Sequence, residues 1–166
     1  NGGEKYLFYF IRFFSTIFSI VNLYFIFKIS ALFLKNRFTK LLPVIIAASL
    51  PQFQFISSVI NNDALLNMLA TVSLYYLLLI ISSPRITSSY LYSAIFIAIA
   101  ILVKKTGLFI LPCAVFVILY LIANNDRSER KLILKNSAVF LVIVLIVSSF
   151  IFLRNYYKLL YKRHNP

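Results

Sequence analysis

Asp63 is the single acidic residue between Lys5 and Asn125, and it stands in a short polar stretch, Asn61-Asn62-Asp63, between two apolar runs. A lone carboxylate at a membrane boundary can bind or polarise a substrate; equally, Asn62 or Asp63 can do no more than cap the helix that follows. Asn67 and Thr71 lie at i+4 and i+8 from Asp63. The three residues therefore share one helical face, expected to look into the protein because polar groups in lipid are expensive. A second constellation is Val103-Lys104-Lys105-Thr106-Gly107. Adjacent lysines suit phosphate as point charges, Thr106 can cap the next helix, Gly107 can let a ligand approach the backbone, and the first-turn N–H groups favour an anion. The plainer reading is that both lysines snorkel to lipid headgroups.

Arg12 begins a seam in which Ser15, Ser19 and Asn22 follow at i+3, i+7 and i+10. This spacing suits helix packing through small polar residues, with Arg12 at the outer end, where an anionic headgroup lies. Arg154-Asn155 closes the last apolar run, so Arg154 is either a boundary anchor or a third phosphate contact. Lys28 is expected to snorkel. The chain has one histidine, His164, and one cysteine, Cys113, and no His/Cys/carboxylate cluster at metal-ligand spacing. Zinc enzymes, Cys-His nucleophiles, Ser-His-Asp triads and an internal disulfide have no support. No cofactor is evident from the residues and none of them is assigned to a metal, which leaves a divalent-metal requirement open.

The elements that must position these groups are membrane helices. Hydrophobic residues make up 61% of the 166 and charged residues 13%, against about 45–50% and about 25% in soluble domains. The net charge of +13 from 17 Lys+Arg and 4 Asp+Glu would suggest nucleic acid in a soluble chain. Here the cations fall singly or in short clusters between apolar runs, so they mark membrane boundaries and no nucleic-acid partner is expected. A spanning helix needs about 20 apolar residues. Six segments are candidates against that length, approximately Phe8 to Leu34, Leu41 to Ile60, Ala64 to Ser83, Thr87 to Val103, Gly107 to Ala123 and Ala138 to Leu153. Lipid satisfies no backbone polar group, so only helices or closed barrels can span, and the run lengths exclude barrels.

The expected fold class is therefore all-α, a multi-pass transmembrane helical bundle, with residues 1–166 part of one transmembrane domain. Asn124 to Ser137 is expected to be a charged loop. Pro51 is expected to kink the second segment and free a carbonyl near Gln52 and Gln54, and Ala94 with Ala98 forms a small-xxx-small packing pair. Alternating hairpins put Asp63, Lys104, Arg12 and Arg154 at one end. Each end collects eight Lys or Arg residues, with Lys28 inside the first segment, so the positive-inside rule does not orient the chain. An anionic ligand at the end that should be depleted in positive charge would explain the tie. The chain starts at Asn1 with no signal-peptide pattern, and is expected to be an internal piece of a longer polypeptide.

Four motifs in order carry a resemblance: Arg12-Phe13-Phe14-Ser15; Asn61-Asn62-Asp63-Ala64-Leu65; Lys104-Lys105-Thr106-Gly107 leading to Leu111-Pro112; and Arg154-Asn155. Together with Leu50-Pro51-Gln52-Phe53-Gln54-Phe55 they resemble the GT-C glycosyltransferases of the protein-mannosyltransferase type. The resemblance implies a many-helix fold whose outer-face cavity accepts a sugar from a polyprenyl-phosphate donor. It matches Asp63 to the family's acidic residue at this turn and Lys104 to the lysine that approaches the lipid phosphate. Thr106 and Arg154 fall at matching positions, and Lys105 at a variable one. The family's principal catalytic acid belongs to an earlier outer loop, so it is expected upstream of Asn1, with this segment inactive alone. The Tyr-Gly-Asp-Pro-like turn that usually follows Arg-Asn is replaced by Tyr156-Tyr157-Lys158.

The resulting expectation is a multi-pass glycosyltransferase of the plasma membrane. It transfers a sugar from a lipid-linked donor to a protein, lipid or glycan acceptor at the outer face. Asp63 supports catalysis, and Lys104, Thr106, Arg12, Arg154 and Lys105 surround the donor phosphate, with Asn62 and Asn67 nearby. Two alternatives are a transporter or flippase of an anionic lipid-linked sugar, which predicts inverted repeats that are not seen, and a non-catalytic membrane subunit.

Overall fold

The computed structural model describes the backbone of residues 2–164 and the side chains of residue 6 and of residues 9–127 and 129–150. Arg154 and Asn155 have their side chains outside the described residues. Among the described residues seven α-helices follow one another: α1 (Gly2–Phe33), α2 (Arg37–Ser49), α3 (Pro51–Ser58), α4 (Asp63–Ser82), α5 (Thr87–Val103), α6 (Ile110–Asn124) and α7 (Arg127–His164). A 3-10 turn, Lys105–Phe109, joins α5 to α6. There is no strand among the described residues, so the bundle is all-α.

By length and hydropathy, Tyr9–Phe33, Asp63–Ser82, Lys105–Asn124 and Glu129–Phe150 can each cross a membrane. The pair α2 and α3 passes the same test together but is bent by 65° at Leu50, and α5 is a shorter apolar helix. Asn36 starts α2 by accepting the Phe38 N–H on its side chain at 3.1 Å. Pro51 stops it, because it has no N–H to continue the ladder and is at home in the first turn of a new helix. The expected kink is thus a full break into two helices. The Gln54 amide donates to the Ala48 carbonyl beside the break at 3.1 Å.

The expected loop over Asn124 to Ser137 is not a loop. The chain turns through Asn125 and Asp126, whose carbonyl accepts the Glu129 and Arg130 N–H groups at 3.1 and 3.0 Å, and α7 begins at Arg127. Glu129 in the first turn suits the positive end of the helix dipole. Ile133, Asn136 and Ser137 are buried, and α7 packs along α5, which accounts for the early helix start.

α5 is the axis of the bundle, packed against α4, α7 and the 3-10 turn. Its Ala94, Ala98 and Ala100 are buried with Ile97 and Ile101, so small side chains bring the neighbouring backbones close. Leu69, Leu77 and Ile80 of α4, Ala114 and Leu121 of α6, and Phe140 and Val144 of α7 complete this core. α1 packs on α4, α2 and α3. Its Ser15, Ser19 and Asn22 are buried, and the Ser19 hydroxyl donates to the Ser15 carbonyl at 3.0 Å. The seam therefore packs helices, as small polar residues do in lipid. Large apolar side chains such as Phe13, Ile45, Phe116 and Ile146 point outward, the arrangement that suits a hydrocarbon surround. Lys28 is half-buried, with its ammonium 5.6 Å from the centre of the Tyr24 ring.

Candidate functional site

Asp63 and Lys104, 41 residues apart in sequence, meet: Lys104 Nζ donates to Asp63 Oδ1 at 2.6 Å. The geometry follows from two helix ends. α4 begins at Asp63, so the carboxylate stands on its first turn. α5 ends at Val103, and Lys104 leaves it in extended conformation, φ −154° and ψ 136°, with its N–H still bonded to the Ala100 carbonyl at 3.1 Å. The lysine is thus rooted to α5 and its side chain reaches across to α4. Asn61 completes the arrangement by donating from Nδ2 to Asp63 Oδ2 at 2.5 Å. Both carboxylate oxygens are engaged, one by a cation and one by a neutral amide.

Helix capping does not account for Asp63. Asn62 is already helical, φ −68° and ψ −6°, and makes no capping bond with its side chain. Its carbonyl instead starts the ladder by accepting from Leu66 at 2.9 Å. Thr106 also fails to cap, because the chain winds through the 3-10 turn before α6 starts at Ile110, and no side chain caps either element. The Gly107 N–H is taken by the Lys104 carbonyl at 2.8 Å.

Gly107 serves packing where ligand access was expected. It is buried, and a Cβ built on it would lie 2.6 Å from the carbonyl carbon and oxygen of Ala100. The absent side chain lets the turn fold down onto the last turn of α5, which fixes where Lys104 starts. Lys105 and Thr106 are exposed on the same turn.

A cavity of about 130 Å³ opens beside Asp63. Asn61, Asn62 and Leu65 form one wall, and Phe14, Ser15 and Phe18 of α1 form the other. Arg12 is exposed on α1 at this end, its carbonyl accepting the Thr16 hydroxyl at 3.1 Å. Arg154 is carried by α7, whose direction brings its later turns to the same end. Asn67 and Thr71 are half-buried. Thr71 donates to the Asn67 carbonyl at 3.0 Å and faces α1 and α2, lining an apolar groove of about 440 Å³.

The structure therefore joins Asp63 to Lys104, sets Asn62 in the cavity wall, and leaves Lys105, Thr106 and Arg12 exposed. Sequence reasoning passed over Asn61 as a carboxylate partner. The signal was present in the amide two residues before a helix-initial carboxylate, a spacing at which a side chain can reach back to its neighbour. The cavity had no signal, since it depends on how α1 lies against the α3–α4 turn.

The fold defines a polytopic helical membrane protein with a polar corner at one end. The family model for dolichyl-phosphate-mannose-protein mannosyltransferase matches residues 8–153, and the chain belongs to that family, whose members are integral membrane glycosyltransferases of the GT-C type. No curated protein and no solved structure matches it.

Proposed function

We propose that this corner binds the phosphate of a polyprenyl-phosphate-linked sugar, from which the enzyme transfers the sugar to an acceptor hydroxyl at the outer face of the plasma membrane. The observation that carries this reading is Lys104, held by Asp63 at 2.6 Å on the boundary of the bundle. A lysine ammonium has three N–H donors. One is spent on Asp63, and the others remain for a phosphate that arrives from the lipid side. Family membership supports a donor of that kind and a protein acceptor.

In the reaction, the acceptor oxygen forms a bond to the anomeric carbon while the bond from that carbon to the phosphate oxygen breaks, and the phosphate leaves with the bonding electrons. Negative charge grows on the phosphate during this step. Lys104 is positioned where it can stabilise that charge without reorganising, the usual source of the largest catalytic term. Asp63, bonded on both oxygens, supports Lys104 and does not act as the base; the acceptor proton goes to a general base elsewhere in the enzyme. Lys105, exposed on the 3-10 turn, and Arg12, exposed on α1, add positive charge that draws an anionic headgroup in, and Thr106 adds a hydroxyl next to Lys105.

The test is sugar transfer from dolichyl-phosphate mannose by membranes containing the protein as its gene encodes it. Lys104→Ala is expected to lower turnover far more than Lys105→Ala. Equal effects of the two substitutions would remove the distinction on which the reading rests.

A further inference from the structure

We infer that the groove of about 440 Å³ between α1, α2 and α4 holds one acyl chain of an anionic glycerophospholipid, whose phosphate is received by Lys35, Arg37 and Lys40. The site lies at the end of the bundle opposite Lys104 and does not depend on the donor reading. Ile26, Ile29 and Phe33 of α1, Pro43 of α2 and Leu74 of α4 supply apolar walls. The two hydroxyls among them are already engaged. Thr71 donates to the Asn67 carbonyl at 3.0 Å, and the Ser30 hydroxyl lies 2.7 Å from the Lys40 carbonyl and 2.8 Å from the Phe27 carbonyl. The walls therefore have nothing to offer a polar ligand, whereas a hydrocarbon chain matches them.

Length and charge make the occupant a phospholipid. From Ile26 to Leu34 the groove follows α1 for about 12 Å at about 1.5 Å per residue, close to the depth of one leaflet, about half of a hydrocarbon core of about 30 Å. Cations stand where the groove residues end: Lys35 directly follows Leu34, and Lys40 precedes Pro43 by less than one helical turn. Lys35 and Arg37 are exposed and Lys40 is half-buried. At the same end, Arg85 is spent on Glu129 and Arg130 on the carbonyls that close α6. None of Lys35, Arg37 and Lys40 forms an ion pair among the described residues, and the sequence holds no acid between Glu4 and Asp63. α2 starts at Arg37 with no acid in its first turn, so the positive end of its dipole adds to the same field. This combination is complementary to a phosphate attached to an acyl chain. A neutral helix laid over the groove would leave the charges unmatched.

The experiment uses the protein as its gene encodes it, purified in detergent and titrated with phosphatidylglycerol and with phosphatidylcholine of the same chains, bound lipid being counted by native mass spectrometry. Wild type is expected to hold one phosphatidylglycerol at least about fivefold more tightly than phosphatidylcholine. Lys35→Gln, Arg37→Gln and Lys40→Gln combined are expected to weaken phosphatidylglycerol by about tenfold or more and to change phosphatidylcholine by less than about twofold. Lys131→Gln with Lys135→Gln removes exposed cations from α7, which lines no part of the groove, and leaves phosphatidylglycerol within about twofold of wild type. Leu74→Trp enlarges a groove side chain that is 42% exposed, and is expected to weaken both lipids by about three- to tenfold. Equal weakening by the α7 pair and the α1–α2 variant means diffuse attraction to a charged surface and overturns the site. Unchanged binding in Leu74→Trp overturns it as well, as does a wild type that holds no lipid or shows no preference between the two.

Discussion

The two ends of the bundle are each tied by an ion pair of the same length, and they are built differently. At one end, Lys104 meets Asp63 at 2.6 Å; at the other, Arg85 in the α4–α5 connection meets Glu129 in the first turn of α7, also at 2.6 Å. Arg85 gives two donors, Nε at 3.0 Å and Nη2 at 2.6 Å, to the one oxygen Oε1 of Glu129. Its neighbour Arg130 donates to the Asn125 and Ala123 carbonyls, which closes the end of α6. Cations there complete protein groups. Lys104 is a point charge with a single acid on one of its three donors, it is more shielded than Arg85, 45% against 79% exposed, and its acid is held from behind by Asn61 beside a cavity. Arg85 spends two of its five N–H donors on that one oxygen, and Lys104 spends one of its three on Asp63. The comparison teaches that neither an ion pair nor a spare donor alone marks a site; the polar space beside it does.

The wider opening makes the same point. The groove of about 440 Å³ between α1, α2 and α4 has no charged lining residue, and only Ser30 and Thr71 interrupt its apolar walls. The smaller cavity, with two amides and a hydroxyl, lies beside the carboxylate.

The largest effect that would sharpen this contrast is Lys104→Ala, expected to lower mannose transfer by about 10²–10³-fold, the usual loss when one preorganised donor to a developing charge is removed. Initial rates from dolichyl-phosphate mannose measure it. Gly107→Ala comes next: with no clearance at the Ala100 carbonyl, the turn must shift, at a cost of about 1–3 kcal/mol. The unfolding midpoint in detergent should fall and transfer should fall with it, because Lys104 is displaced. Asp63→Asn keeps a side chain of the same shape but removes the charge that holds Lys104, and about a tenfold loss in turnover is expected, equivalent to about 1.4 kcal/mol. Arg85→Gln at the opposite end removes a pair whose cation is largely exposed, so stability should change by about 0–1 kcal/mol with transfer retained. If Arg85→Gln instead abolishes transfer while Asp63→Asn does not, the two ends have been assigned the wrong way round.

Much of this was legible in the chain. Run length and lipid physics give the all-α bundle, and counting hairpins puts Asp63 and Lys104 at one end, though not in contact. Pro51 announces a break, but the 65° bend depends on α3 packing against α1. The start of α7 was hidden because a hydropathy window treats the charged stretch Arg127 to Lys135 as a loop, while the same residues form helix readily and have Ile133 to bury. Gly107 was misjudged for a tertiary reason: whether a glycine admits a ligand or a neighbouring backbone depends on what folds over it, and here the Ala100 carbonyl does. The roles of Thr106 and Asn62 changed for a local one: a 3-10 turn displaced Thr106 from the cap of α6, and Asn62, at the cap of α4, is itself helical and makes no side-chain capping bond.

The central claim is that Lys104, beside the polar cavity, is the cation that meets phosphate, and that Arg85, at the opposite end, is not. Binding of dolichyl phosphate to the protein in nanodiscs, with Lys104→Ala and Arg85→Gln compared at one salt concentration, tests it directly. The account predicts that Lys104→Ala weakens binding by about tenfold or more while Arg85→Gln stays within about twofold of wild type. Equal weakening by both, or none by Lys104→Ala, would contradict it.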